Sequence, residues 1–87
     1  MTKVKQLEKF IKENKLEFNS GSGGDVNILA LCGYACYIQA SEEDCIKAAD
    51  TDDYSTDKEI RRVYQYADTH NYDKWWNTSG AKAQWKF

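Results

Sequence analysis

The chain is poor in the residues from which catalytic and metal sites are built, with one histidine and three cysteines in 87 residues. A Cys–His nucleophile needs a thiolate acidified by a neighbouring base. His70 is the single imidazole, and it falls at the expected end of an exposed helix rather than in an apolar pocket. An odd number of cysteines excludes a complete disulfide framework within one chain and favours a reducing, cytoplasmic setting. The longest apolar run, Ile28 to Ile38, is well short of the roughly 20 residues that span a bilayer, and it is internal, so neither a membrane anchor nor a signal peptide is expected. Gly21-Ser22-Gly23-Gly24 lacks the Gly-Lys-Ser/Thr ending of a phosphate-binding loop, and Asp25 would repel the anion. Asp50-x-Asp52-Asp53 has Ser55 and Arg61 where a calcium loop needs its glycine and its bidentate glutamate. Cys32, Cys36, Cys45 and His70 have the types but not the spacing of a zinc site. The cysteines are therefore read as small buried hydrophobes, reduced and metal-free. No cofactor and no enzymatic activity are expected.

What the chain has instead is a strongly uneven charge distribution. Residues 41 to 59 hold eight acids (Glu42, Glu43, Asp44, Asp50, Asp52, Asp53, Asp57, Glu59) against Lys47 and Lys58, a balance of −6. Residues 1 to 19 come to +2, Asp25 adds −1 and residues 60 to 87 come to +3, so the net −2 conceals a dipolar molecule. An acidic face beside a basic, aromatic one points to recognition of a charged macromolecule.

At 87 residues, with 41% hydrophobic composition, the chain has room for one domain, residues 1–87, built on a single core. Val4, Leu7, Phe10 and Ile11 recur at helical spacing among lysines and glutamates and predict a surface helix over Lys3 to Asn14. Lys15 to Asn19 alternates polar and apolar, the pattern of a short strand with Leu16 and Phe18 inward. After the glycine turn, Asp25 is placed to cap a helix from Val26 to Ala40. That segment is apolar on nearly every face, and its length favours a buried helix over a strand. Ser41 with Glu42, Glu43 and Asp44 reads as a cap with acids in the first turn, opening a short helix through Ala49 that buries Cys45, Ile46 and Ala49. Thr56 and Glu59 repeat the signature for a helix to about His70 with the stripe Ile60, Val63, Tyr64, Ala67. Residues 81 to 87 alternate as a C-terminal strand whose natural partner is the segment near 15–19. The expected fold class is α+β, mostly helical, with one short antiparallel pair.

Eight of the twelve aromatics lie from Tyr54 onward, mixed with Arg61, Arg62, Lys74, Lys82 and Lys86. Trp75 and Trp76 are adjacent, and successive helical residues differ by about 100°, so one of them is expected at the surface. With Arg62 and Tyr66 it has the composition of an interface hot spot or of a base-stacking platform. Capping accounts for Glu42, Glu43, Asp57 and Glu59, but not for Asp50, Asp52 and Asp53. Spaced carboxylates of this kind can imitate nucleic-acid phosphates in a partner's basic groove. The candidate binding set is therefore Asp50, Asp52, Asp53, Asp57, Arg62, Tyr66, Trp75 and Trp76.

In length, lack of catalytic residues and acidic, tyrosine-rich composition, the chain resembles the small phage-encoded inhibitors of host defence, the anti-CRISPR proteins. That resemblance is one of class, and no family residues carry over. It implies a non-catalytic inhibitor that binds a host protein, a nucleic-acid-handling effector, in the host cytoplasm. The alternative is a nucleic-acid-binding module using the basic, aromatic C-terminal third. Against it stands a pI of about 5.3, since autonomous binders present a basic domain.

Overall fold

The structure, a computed structural model, describes residues 2–18, 24–50 and 54–70. They form four helices: α1 (Lys3–Asn14), α2 (Gly24–Tyr37), α3 (Glu42–Ala49) and α4 (Tyr54–His70). Among the described residues there is no strand. The α+β expectation is thus overturned in favour of a small all-helical arrangement.

The reason lies in how α1 ends. Lys15 adopts the left-handed conformation, and its N–H and that of Leu16 bond back to the carbonyls of Lys12 and Ile11, at 3.3 and 3.0 Å. This is a Schellman closure, in which the residue after the left-handed one is characteristically apolar. Leu16 accordingly turns into the core. The backbone beyond it is satisfied by side chains of other helices: Asn27 donates to the carbonyl of Glu17, and the Thr56 hydroxyl donates to that of Phe18 at 3.2 Å. With these groups engaged, residues 15–18 form the exit of a helix, and their alternation is that of a cap rather than of a ladder. The expected partner strand, residues 81–87, lies outside the described residues.

The other helices follow their sequence signals closely. α1 buries Leu7 and Phe10, and Thr2 caps it by accepting from the Lys5 N–H at 3.1 Å. α3 opens on a full capping box in which Ser41 and Asp44 exchange side-chain and backbone bonds, both 3.1 Å. It buries Cys45 and Ala48, with Ile46 and Ala49 only partly covered. α2 starts at Gly24, so Asp25 lies within its first turn rather than at its cap. α4 starts at Tyr54, which places Thr56 within its first turn as a buried hydroxyl instead of a cap.

α2 and α3 each pack against both other helices and against one another, whereas α1 and α4 do not pack on each other. The shared core is Leu7, Phe10, Leu16, Ile28, Ala30, Leu31, Cys32, Ala35, Cys45, Ala48 and Ile60, and the expected α4 stripe of Val63, Tyr64 and Ala67 flanks it. Tyr34 stacks on Phe10 with ring centroids 4.3 Å apart, fastening α2 to α1.

Three helix ends use left-handed residues other than glycine: Lys15, Gln39 and Asp50. α2 closes like α1, with the Ala40 and Gln39 N–H groups on the carbonyls of Ala35 and Cys36. A Cβ in this region costs about 1 to 2 kcal/mol relative to the right-handed one, a penalty glycine escapes. After allowance for the looser unfolded chain, Gln39→Gly is expected to stabilise the protein by about 0.5 to 1 kcal/mol. Urea unfolding checks this, and a loss of stability would show that the Gln39 side chain contributes a contact of its own.

Candidate functional site

The acidic segment does not present one unpaired face. Arg61, on α4, reaches across to α3 with Nη1 at 3.1 Å from Glu43 Oε1 and 3.6 Å from Glu42 Oε1. Arg62 pairs with Glu59 one turn back, at 2.7 Å. Asp44 is held in the capping box. Four of the eight acids are thus engaged within the protein. Asp50, the left-handed residue ending α3, is exposed. Asp57, in the first turn of α4, has one oxygen, Oδ1, buried without a hydrogen-bond partner. Asp52, Asp53, Trp75 and Trp76 lie outside the described residues.

The structure brings Asp57, Arg62 and Tyr66 together on α4. Ile60, Val63, Tyr64 and Ala67 take the inner side of that helix. The 3.6-residue repeat then sends Lys58, Arg61, Arg62, Gln65 and Tyr66 to the other side, where all five are exposed. Asp57, Lys58, Arg61, Arg62 and Gln65 line a shallow concavity of about 440 Å³. Tyr66 stands half exposed one turn beyond Arg62. Lys58 and Gln65 are absent from the sequence-derived set. Their spacing to Arg61 and Arg62, three and four residues apart, is the signal that identifies them; counting Lys58 only as a partial offset to the acids hides it.

A second cluster lies inside. Cys32 on α2 and Cys45 on α3 hydrogen-bond to each other, and Cys45 Sγ lies 3.1 Å from the Tyr64 hydroxyl of α4. No disulfide joins any of the three cysteines; Cys32 and Cys45 are buried, and Cys36 is half-buried rather than fully buried as expected. The hydrogen bond from Cys32 lowers the Cys45 thiol below its ordinary range, against the effect of burial and with help from Tyr64. Cys32 is held well above its ordinary value by that same bond and by burial. Burial first, and Cys45 second, push the Tyr64 phenol upward. Among the described residues, no three His, Cys, Asp or Glu side chains are grouped to hold a metal ion. No helix among them is long and apolar enough to cross a membrane.

No family model matches the chain, and neither the curated proteins nor the solved structures yield a match.

Proposed function

We propose that this is a non-catalytic binding protein that engages another protein through the outer side of α4. The observation that carries the reading is the exposed row of Lys58, Arg61, Arg62, Gln65 and Tyr66, since arginine and tyrosine dominate interface hot spots. The target class is a nucleic-acid-handling effector of a host cell, whose binding the protein blocks. The −6 balance of residues 41 to 59 and the resemblance to phage-encoded inhibitors support that part of the proposal. Asp50 stands exposed at the end of α3 and belongs with the surface offered to such a target.

Direct nucleic-acid binding is the competing reading. It is disfavoured because Arg61 and Arg62 are already paired with Glu42, Glu43 and Glu59. Phosphate would have to displace three carboxylates whose own charges repel it. A partner protein can instead accept the arginines together with their acids.

The test uses immobilised full-length protein in an extract of candidate host cells, compared with the double variant Arg62→Glu/Tyr66→Ala. A defined effector protein retained by the wild type should be lost by at least tenfold from the variant, with helix content and melting temperature unchanged. Equal retention would remove the α4 surface from the interface. Saturable binding of an oligonucleotide to the wild type at physiological salt would move the assignment to nucleic-acid recognition.

A further inference from the structure

The molecule has a feature that partner binding does not use: two of its free thiols, Cys32 on α2 and Cys45 on α3, share a side-chain hydrogen bond in the core. Cys32 and Cys45 are almost wholly buried, at 1% and 0% exposure. Cys45 is approached from two sides, by the Cys32 side chain and by the Tyr64 hydroxyl at 3.1 Å. A buried thiol serving only as a small hydrophobe needs no such pair of partners. This arrangement instead stabilises negative charge on one particular sulfur and keeps a second sulfur in contact with it.

We propose that Cys32 and Cys45 form an intramolecular redox-modification site, oxidised by a peroxide to a disulfide that ties α2 to α3. The Cys45 thiolate attacks the peroxide oxygen, breaking the O–O bond and giving a sulfenic acid while hydroxide leaves. Cys32 then attacks the Cys45 sulfur, forming the S–S bond as the sulfenic oxygen leaves and takes up the Cys32 proton to become water. The two thiols lose two electrons in total, and the peroxide is reduced to two waters. The lowered Cys45 and raised Cys32 thiols fit these roles of attacking and resolving sulfur. The hydrogen bond between the two thiols already spans the α2–α3 contact, which a disulfide of about 2.05 Å would close. Access is the slow step. α3 is only eight residues long, and local opening of a short element exposes what it covers. Cys36, half-buried one turn along α2, is the competing thiol.

The full-length reduced protein is treated with hydrogen peroxide, denatured, alkylated with iodoacetamide and weighed intact. The expected product is a monomer lighter by two hydrogens that takes up one alkyl group instead of three. Cleavage after Glu42 and Glu43 separates Cys45 from the other two, so a retained link between the fragments reports a bridge to Cys45. The bridge should persist in Cys36→Ser and vanish in Cys32→Ala. If Cys32→Ala fails to fold, fragmentation of the wild-type linked peptides still assigns the sulfurs. The oxidised protein should melt at least several degrees higher, because the bridge closes a short loop in the unfolded chain. Oxidation should also accelerate in urea below the unfolding transition. Three alkylated thiols after peroxide has consumed added glutathione would overturn the proposal, as would a bridge running through Cys36 or an intermolecular dimer.

Discussion

Leu31→Ala is expected to cost about 3 to 4 kcal/mol, within the range for fully buried leucines whose cavity cannot collapse. Leu31 is 0% exposed on α2, the helix that touches all three others, and it belongs to a core to which all four helices contribute. Collapse of one wall would pull it from its own packing. Domains of this size are stable by roughly 5 to 10 kcal/mol, so the variant loses a large share of the whole. Leu29, two residues earlier and only half-buried, serves as the control, and Leu29→Ala should cost less than half as much. Urea unfolding followed by far-ultraviolet circular dichroism makes the comparison. A Leu31→Ala loss below about 1 kcal/mol would mean that the four helices are not closed around this residue.

The second large effect is a loss of stability in alkali that runs through Tyr64. Burial, with Cys45 beside it, holds this phenol protonated above its ordinary range in the folded protein. The unfolded chain gives up that proton near pH 10, so above this point the unfolded state binds fewer protons and stability falls as pH rises. The slope for one such group is at most about 1.4 kcal/mol per pH unit, reached while the unfolded phenol is ionised and the folded one still protonated. Cys32 acts in the same direction, starting at lower pH. Cys45, lowered, acts in the opposite direction, contributing stability at high pH that is lost as pH falls through its folded value. Above the ordinary thiol range the Cys45 contribution is complete and no longer changes with pH, so Cys32 and Tyr64 set the slope together. Unfolding free energies measured between about pH 9 and 11 should fall more steeply for the wild type than for Tyr64→Phe. Parallel curves would assign the alkaline loss to other groups.

Much of this architecture is legible in the residues. The α1 stripe, the Ser41 capping signal and the Ile60 to Ala67 stripe each lead to the helix they imply, because in each the local pattern and the tertiary burial agree. The strand at residues 15–19 fails because period-two alternation over so few residues is also what a Schellman closure produces. Leu16 is inward for either reason, and the left-handed Lys15 together with the bonds from Thr56 and Asn27, held by distant helices, decides between them. The site is less legible for a related reason. Charge counting adds Glu42, Glu43 and Lys58 along the chain, while Arg61 pairs with both of these acids across space. The binding row on α4 emerges once the inner stripe is known, since helical geometry then assigns the outer residues.

The separation of α1 from α4 bears on how this protein can vary. With no direct packing between them, a change of side-chain size on one helix has no steric partner on the other. In a set of related sequences, compensating pairs of substitutions should fall between α2 or α3 and any helix that packs on it. α1 and α4 should drift independently. The helix that carries the binding row could thus be retuned for a new target while the first helix keeps its sequence.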